Sequence, residues 1–483
     1  MKEYKLFAQR LGIVGITHIL VGLSGLVFLP IITNNLSISN YGVWVQFTTS
    51  VSLLYLLGIL GLPFTMVRFL AAEKDKDKIQ EVFYSITFIV IIASLILAFV
   101  LFLFAEPLSK LLFDGNIVVG MILPFAVFLY CLNNILINYF RTFQQIKKFS
   151  IFTILQTYIN VTVVSLLLIF NYGLTGAVLG FLLTQIILFI FTLPFIISDI
   201  GFKFPKFKNM KEYLSFGIPT IPSSLSYWVV NLSDRFVIGI LLGAVFVGYY
   251  SPGYTLGNIV IMLSYPFSLM LPAVLSKYYD ENNHDGVNKV LQYSLKYYLV
   301  IAIPSVVGLS LLSKTLLYIL STPEIASNGY LVTPFVALGG LFSGIYTIIS
   351  QVLIIKKNTK IIGIIWIIAA VLNLVLNLIF VPYFGIVGAA IITLITFIIS
   401  LIFTLHYSRG YFNLGVEWKF IAKAVFASLL LSLIIILVNP TGILSTLIVI
   451  GICIPVYLAS LWILKGFEKK EIEFFKSMLK KTE

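Results

Sequence analysis

Long apolar runs separated by short polar connections constrain this chain more than any other feature. A helix needs roughly 20 apolar residues to cross about 30 Å of hydrocarbon. With 60% hydrophobic and 11% charged residues, the chain has too few charges to cover itself in water, so lipid must solvate much of its surface. We predict an all-α integral membrane protein with about fourteen transmembrane helices, at 11–33, 43–69, 82–104, 118–140, 150–170, 174–198, 214–241, 246–275, 291–318, 330–354, 361–381, 386–407, 420–438 and 443–464. The runs 43–69 and 246–275 exceed the minimum, and we expect them to tilt or to project into the headgroups.

The basic residues are concentrated in alternate connections. One set, which includes both ends of the chain, holds 29 of the 32 Lys and Arg residues. Lys110 and Lys314 fall in the opposite set, and Arg235 lies inside a predicted span. Because cytoplasmic loops carry the excess of Lys and Arg, we predict a multi-pass protein of the cell (plasma) membrane with both termini cytoplasmic. The net charge of +13 is therefore a topology signal, and we expect no binding to nucleic acid.

Several classes of chemistry are excluded or disfavoured. The two cysteines, Cys131 and Cys453, each lie inside an apolar run, so a disulfide framework or a metal cluster is not expected. No Gly-Lys dipeptide occurs, so the Walker A loop of nucleotide hydrolysis is absent. The connections are too short to form an extramembrane domain, which argues against a glycan polymerase, ligase or glycosyltransferase. We predict a transporter without a cofactor, and coupling to a proton or sodium gradient remains open.

Two sets of six spans resemble each other, in the same order, at offsets of 205 to 212 residues. The clearest echo is Gly173-Leu174-x-Gly176-Ala177 against Gly385-Ile386-x-Gly388-Ala389. We therefore predict an N-terminal lobe at 1–204, a C-terminal lobe at 205–409, and helices 13 and 14 with a cytoplasmic tail at 410–483. Lobes of equal orientation suit alternating access. In the tail, apolar residues share one side and lysines surround the other, which predicts a short interfacial helix that binds anionic lipid.

The order of these signals resembles the multidrug/oligosaccharidyl-lipid/polysaccharide (MOP) exporter superfamily, and in particular its polysaccharide transporter branch, the Wzx-type flippases. The resemblance is carried by Gly61 with Arg68-Phe69-x-Ala71, by Ser233-Asp234-Arg235-Phe236, and by the turn at Gly385. It implies a MATE-like fold of two pseudo-symmetric six-helix bundles forming a V. It also implies a substrate: a polyprenyl- or dolichyl-linked glycan, moved from the cytoplasmic to the outer leaflet.

Span 7 contains the best-embedded charged pair, Asp234 and Arg235. Ser224, Tyr227, Asn231 and Asp234 follow at spacings of three, four and three residues and so form one stripe of a helix. The stripe either lines a hydrophilic cavity, where Arg235 attracts phosphate, or holds a structural ion pair. Because neighbouring residues on a helix diverge by about 100°, we expect Asp234 and Arg235 not to pair squarely with each other. Asp234 is also a candidate for ion coupling.

Three arginines at predicted cytoplasmic helix ends, Arg10, Arg68 and Arg141, are either topology signals or a basic entrance for a (pyro)phosphate headgroup. The planar fork of arginine binds phosphate oxygens bidentately. His18, in the middle of span 1, either packs through a hydrogen bond or titrates in a proton-coupled cycle.

Polar pairs spaced four residues apart recur in spans 4, 5, 8 and 11; both members are amides except in span 8, where Tyr254 precedes Asn258. They either hydrogen-bond neighbouring helices or line the cavity. We interpret those of spans 5 and 11 as braces, and we keep Asn134, Asn138 and Asn258 of spans 4 and 8 as candidates for the cavity.

The leading hypothesis is a flippase for a lipid-linked oligosaccharide in cell-surface polysaccharide or glycan biosynthesis. Its expected partners are the lipid-linked glycan, anionic lipids of the membrane and glycan-assembly enzymes. The alternative is an ion-coupled multidrug or cation exporter of the same superfamily, which would need acidic residues in its cavity; in the spans Asp234 is available, and Arg235 lies beside it.

Overall fold

The computed structural model describes the backbone of residues 2–411, 417–467 and 471, with side chains from residue 12 onward. In these residues the regular secondary structure is helical throughout. The helices are α1 (Lys2–Asn35), α2 (Ile38–Gly58), α3 (Leu62–Leu70), α4 (Lys76–Leu103), α5 (Ala105–Leu112), α6 (Ile117–Thr142), α7 (Ile146–Ile169), α8 (Gly173–Ile200), α9 (Met210–Gly217), α10 (Ile221–Leu242), α11 (Ala244–Met262), α12 (Tyr265–Asp280), α13 (His284–Leu320), α14 (Pro323–Gly329), α15 (Val332–Ile355), α16 (Thr359–Ser408), α17 (Trp418–Val438) and α18 (Ile443–Ile463). A 3-10 turn, Ile218–Thr220, joins α9 to α10.

The number of spans agrees with the prediction once two broken segments are considered. Among the described residues, 12 helical segments are long and apolar enough to cross a membrane, and the bent pair α2 and α3 brings the number to 13. At 1.5 Å per residue, the 50-residue helix α16 would be about 75 Å long, more than twice the hydrocarbon thickness. Its backbone leaves the helical region at Gly385. Each part on either side of this glycine is long enough for one span, which gives fourteen.

Gly385 also supports the internal repeat. Its φ is +59°, and Gly173, which opens the matching Gly-x-x-Gly-Ala sequence, has φ of +57°. Side chains with a Cβ rarely adopt this left-handed conformation, whereas glycine adopts it without steric cost. The two sequences therefore share an unusual backbone turn in front of a helix as well as their spacing.

The two longest predicted spans are broken helices, which corrects the expectation that they tilt or project. The run 43–69 divides into α2 and α3, which meet at an angle of 49°. The run 246–275 divides into α11 and α12, with a break after Met262. Broken spans at matching positions of the two six-span sets add a second structural likeness between them.

The helical contacts divide the chain into two compact units. Unit 1 comprises Met1–Pro252, Leu320–Ile325 and Trp366–Ile392. Its central helix is α6, which packs against α2, α4, α7 and α8, while α10 packs against α2. Fully buried aromatic side chains such as Phe47, Phe83 and Phe140 fill its interior.

Unit 2 comprises Gly253–Ile319, Ala326–Ile365 and Thr393–Glu483. Within it, α12 packs against α15 and α17 packs against α18. Its core contains Tyr298, whose hydroxyl donates to the carbonyl of Gly340 at 2.9 Å. The two lobes at 1–204 and 205–409 are predicted from the internal repeat, whereas the two units are defined by contacts between helices. The division into lobes therefore stays a prediction. The predicted interfacial tail lies, apart from residue 471, outside the described residues.

Candidate functional site

A polar pocket of about 340 Å³ lies within unit 1. Helices α2, α3, α6, α7 and α10 supply its walls. Its lining residues are Tyr55, Leu56, Ile59, Gly61, Pro63, Phe64, Asn134, Ile137, Asn138, Arg141, Phe149, Ile221 and Ser224. Four of the residues predicted from the sequence for the cavity therefore meet in one place: Asn134, Asn138, Arg141 and Ser224.

The polar wall of this pocket is one face of α6. Asn134, Asn138 and Arg141 are spaced four and three residues apart, which places them on one side of a helix. The Asn138 side chain is 6% exposed, and its amide donates to the carbonyl of Pro63 in α3 at 3.2 Å. The Asn134 amide donates to the Tyr130 carbonyl of its own helix at 2.8 Å. Asn138 thus joins two helices, whereas the bond of Asn134 is local.

Arg141 supplies the positive charge of the pocket. It lies in the last turn of α6, where a cation interacts favourably with the helix dipole, and it is exposed. In the part of the chain that the structure describes, no carboxylate lies within ion-pair distance of its guanidinium. Its hydrogen-bond donors are therefore available to a negatively charged ligand.

The bend between α2 and α3 shapes the opposite wall. Gly61 precedes α3 with φ of +66°, and a Cβ at this position would overlap the Gly217 carbonyl oxygen and Thr220 Oγ1. A larger residue would be strained and would collide with the turn before α10. The glycine therefore permits the bend that brings Pro63 and Phe64 to the pocket.

The charged pair of span 7 lies away from this pocket. Arg235 Nη1 is 2.8 Å from Asp234 Oδ1, and the two residues are 6% and 1% exposed. Asp234 also accepts a hydrogen bond from the Tyr250 hydroxyl, and Arg235 Nη1 donates to the Asn231 carbonyl at 3.0 Å. The structural ion pair, one of the two interpretations left open by the sequence, accounts for these contacts.

The expectation that Asp234 and Arg235 do not pair squarely is wrong. The argument from the 100° divergence considered only the directions of the two Cα–Cβ bonds. The arginine side chain is long enough to fold back along its own helix, where it contacts both Asp234 and the Asn231 carbonyl one turn earlier. Because both groups are buried, either charge without the other would be strongly destabilising, so the two remain paired.

The stripe on α10 therefore changes character along its length. Ser224 lines the pocket. Tyr227 is half exposed and packs edge-on against Trp366, with ring centroids 5.2 Å apart. The Asn231 amide donates to the Tyr227 carbonyl at 2.8 Å, and Asp234 is buried. One end of the stripe thus contributes to the pocket, and the other contributes to the interior of unit 1.

The remaining predicted residues lie elsewhere. Arg68 is exposed in the last turn of α3, and His18 is on an exposed face of α1. Asn258 belongs to unit 2 and is partly buried. The side chain of Arg10 lies outside the described residues. Neither Arg68 nor His18 lines the pocket of unit 1.

Sequence reasoning missed the aromatic wall of the pocket, formed by Tyr55, Phe64 and Phe149. Tyr55 packs edge-on against Tyr130 at 5.3 Å. The chain has 26 tyrosines and 41 phenylalanines, most of them in apolar runs, so no local signal distinguishes these three. Their role follows from the bend at Gly61, which becomes visible only in three dimensions.

A metal centre finds no support in the described part of the chain. No group of three or more His, Cys, Asp or Glu side chains converges there. Cys131 and Cys453 are free and buried.

Two family models match the sequence. A model described as "Polysaccharide biosynthesis protein" matches residues 8–272, which is more than half of the chain. A model described as "MatE" matches residues 219–379. The first match includes the whole pocket of unit 1, and the second includes α10 and its charged pair.

Among curated proteins, the chain is similar to the "Probable low-salt glycan biosynthesis flippase Agl15" of Haloferax volcanii, with 24% identity over 232 residues. This match covers 48% of each chain, so the present chain spans about half the length of that relative. The similarity is to a transporter, in agreement with the prediction that the chain is not an enzyme.

Solved structures show the same fold. A structure described as "Lipid II flippase MurJ, inward closed conformation" superimposes with a TM-score of 0.76 at 22% identity, covering 95% of this chain and 98% of that one. An inward-facing multidrug resistance MATE family transporter superimposes with a TM-score of 0.67 at 17% identity, covering 81% and 93%. At sequence identities of 22% and 17%, these superpositions show a shared fold only. That fold agrees with the matches to the two family models. The chain therefore belongs to the polysaccharide biosynthesis protein family, in the polysaccharide flippase branch of the MOP exporter superfamily.

Proposed function

We propose that this protein is a flippase that moves a polyprenyl- or dolichyl-(pyro)phosphate-linked oligosaccharide from the cytoplasmic to the outer leaflet by alternating access. The observation that supports this most directly is the pocket of unit 1, in which Arg141 lies beside two amides and has no carboxylate partner among the described residues. The name of the relative Agl15, a glycan biosynthesis flippase, and that of the structural neighbour MurJ, a lipid II flippase, agree with it.

The chemistry of the pocket suits a phosphate with an attached sugar. The guanidinium of Arg141 can bind two phosphate oxygens at once. The side chains of Asn134, Ser224 and Tyr55 carry donors and acceptors for sugar hydroxyls. A volume of about 340 Å³ is at the lower end of the range for ligand pockets. It holds a phosphate and the first sugar, and the rest of the oligosaccharide lies outside it.

The location of Arg141 agrees with loading from the cytoplasm. The arginine ends α6, and two further cations, Lys147 and Lys148, follow in the first turn of α7. The excess of basic residues supports a cytoplasmic location for this end and for both termini of the chain, and location in the cell membrane is part of the proposal. The enzymes that assemble the glycan act on the same side, and they are the expected partners.

A direct test uses purified protein in proteoliposomes with a fluorescently labelled lipid-linked oligosaccharide. Transport is measured as the fraction of label that becomes accessible in the opposite leaflet, without a gradient and then with a proton or a sodium gradient. We expect transport by the unsubstituted protein and loss of most of it with Arg141→Ala. The matched control is Arg409→Ala, which removes an exposed arginine at the end of α16. Absence of transport under every gradient would refute the proposal.

The alternative, an ion-coupled multidrug or cation exporter, draws on the MatE match and on the MATE-like fold. Such a pump needs a carboxylate that can exchange a cation. Asp234 is the buried carboxylate of span 7, and it is already engaged by Arg235 and Tyr250. An efflux assay separates the two functions: resistance to cytotoxic cations that is lost on Asp234→Asn would favour the exporter.

A further inference from the structure

The connection between α8 and α9, residues 201–209, carries alternating phenylalanines and lysines, Gly-Phe-Lys-Phe-Pro-Lys-Phe-Lys-Asn. It forms neither helix nor strand. Three phenylalanines and three lysines within nine residues are unusual for a connection exposed to water. We name the stretch 202–208 the Phe/Lys segment.

The start of this connection is held by hydrogen bonds from α4. The Gln80 side-chain amide donates to the carbonyl of Ile200 at 2.5 Å. The Tyr84 hydroxyl donates to the carbonyl of Gly201, also at 2.5 Å. These bonds satisfy two backbone carbonyls at the end of α8 and fix the direction in which the Phe/Lys segment leaves that helix.

Charged groups of α4 hold the middle of the segment. The Lys206 backbone N–H lies 2.8 Å from both carboxylate oxygens of Glu81. The Lys203 ammonium is 2.5 Å from Asp77. Asp77, Glu81 and Tyr84 are spaced four and three residues apart, so they occupy one face of α4. The segment therefore lies along the first turns of this helix.

Aromatic contacts continue the attachment one turn further. Phe88 of α4 packs against Phe207 with ring centroids 4.8 Å apart, and the Phe204 ring lies 6.4 Å from that of Phe88. Tyr84 packs against Phe202 at 5.4 Å. A connection without regular secondary structure is thus fixed at its backbone, at one lysine and at its rings.

The side chains of the segment alternate in exposure along the chain. Lys203, Pro205 and Phe207 are buried or partly buried. The outward face consists of Phe202, Phe204, Lys206 and Lys208. Phe202 and Phe204 are 70% and 68% exposed, which is high for phenylalanine. The outward face therefore has an aromatic half followed by a cationic half.

The outward lysines are not neutralised within the described protein. Among the residues that the structure describes, neither Lys206 nor Lys208 has a carboxylate within ion-pair distance. Asp77 is paired with Lys203, and both oxygens of Glu81 accept from the backbone of Lys206. The face therefore presents positive charge to whatever lies outside it.

The position of the Phe/Lys segment along α4 indicates which surroundings its outward face contacts. The helix begins with charged residues and contains none after Glu81. The stretch from Asp77 to Phe88 rises about 16 Å, which takes it from the headgroup region into the hydrocarbon. Phenylalanine rings of interfacial segments bury themselves at the boundary between headgroups and acyl chains, and lysines beside them reach lipid phosphates. A soluble acidic partner would match the lysines but would leave the two phenylalanines exposed.

We propose that the outward face of the Phe/Lys segment binds anionic phospholipid headgroups. Phe202 and Phe204 insert beside the acyl chains, and Lys206 and Lys208 contact the phosphates. Because α4 fixes the segment in advance, little conformational entropy is lost when the lipid binds. The site is separate from the pocket at Arg141, and it does not depend on the transported substrate.

The test uses the full chain in nanodiscs, with an environment-sensitive fluorophore on Phe204→Cys. The native thiols of Cys131 and Cys453 are buried, and labelling of the unsubstituted chain measures their background. Quenching by brominated phosphatidylglycerol is compared with quenching by brominated phosphatidylcholine at equal mole fraction. We expect stronger quenching by phosphatidylglycerol, and a preference that declines as salt is added.

Replacement of the two lysines, Lys206→Gln with Lys208→Gln, should reduce the preference for phosphatidylglycerol by about fivefold per lysine. The matched control, Lys357→Gln with Lys360→Gln, removes two exposed lysines of unit 2 and should leave the preference unchanged. If Phe204→Cys does not fold, Phe202→Cys carries the label instead. Equal quenching by the two lipids, an unchanged preference after lysine replacement, or no quenching by either lipid would each overturn the proposal; the last result would favour an acidic protein partner.

Discussion

Arg141 and Arg235 both lie in membrane-spanning helices of unit 1, and they differ in almost every contact. Arg141 is exposed at the end of α6, lines a pocket and has no carboxylate partner in the described part of the chain. Arg235 is 6% exposed and is bound to Asp234 and to the Asn231 carbonyl. The first can bind a ligand without losing an existing ion pair. To bind a ligand, Arg235 would have to break its ion pair, and the buried Asp234 carboxylate would then have no counter-charge.

This difference reverses the order in which the sequence ranked the two arginines as candidates for a role in transport. Arg235 stood out because the distribution of basic residues does not explain it, whereas Arg141 is at a helix end where topology alone accounts for a positive charge. An intramembrane charge is often functional, but it can also be paired. The contacts of Asp234 and Arg235 favour a structural role, and the pocket favours a transport role for Arg141.

The largest effect is expected from separating the buried pair. Asp234→Ala leaves the Arg235 guanidinium buried without its carboxylate and should lower the free energy of unfolding by about 3–5 kcal/mol. Replacing both residues, Asp234→Leu with Arg235→Met, should recover most of this loss because no charge remains buried. Unfolding in detergent measures both. If Asp234→Ala has the stability of the unsubstituted protein but loses transport, the pair belongs to the transport site.

The next effect concerns the bend that forms the pocket wall. Gly61→Ala should cost about 2–3 kcal/mol, because alanine at positive φ is strained and its Cβ would collide with the Gly217 carbonyl. Gly115 is the matched control, since its φ is +77° and a Cβ added there would have no neighbour within 4 Å. Gly115→Ala should therefore lose only the backbone part, about 1–2 kcal/mol. Equal losses at the two glycines would show that the close approach to Gly217 does not matter.

A smaller effect distinguishes the two amides of α6. Asn138→Ala removes the bond to the Pro63 carbonyl of α3 and should cost about 1 kcal/mol. Asn134→Ala removes only a bond within its own helix and should cost less. Denaturant unfolding and transport are measured on both variants. A greater loss of stability at Asn134 would contradict the assignment of Asn138 as the residue that joins the helices.

The sequence predicted much of the fold because the relevant signals are local. Apolar run length located the spans, and the Gly385 pattern indicated a turn before span 12. The structure adds that Gly385 makes this turn at positive φ. The polar face of α6 was also predictable, since Asn134, Asn138 and Arg141 follow helical spacing. These features depend on residues within a few turns of one another.

Other features depend on distant parts of the chain, and the sequence could not supply them. Tyr250, in the following helix, donates a hydrogen bond to Asp234. This contact indicates that Asp234 and Arg235 form a structural ion pair and not a binding site for a ligand. Tyr55 reaches the pocket because α2 ends at Gly58, one turn after it. The bend that follows α2 requires Gly61 to lie close to Gly217. Neither approach leaves a periodic signal in the sequence.

The most direct measurement compares the two arginines in binding of a polyprenyl pyrophosphate by the purified protein. A charge-assisted hydrogen bond contributes about 1.5–3 kcal/mol, so Arg141→Ala should raise the Kd by roughly 10- to 100-fold while stability changes by less than about 0.5 kcal/mol. Arg141→Lys should lie between, because lysine keeps the charge but not the planar fork. The double variant Asp234→Leu with Arg235→Met should bind as the unsubstituted protein does. Unchanged binding by Arg141→Ala, or loss of binding by the double variant, would contradict the assignment of Arg141 as the residue that receives the phosphate.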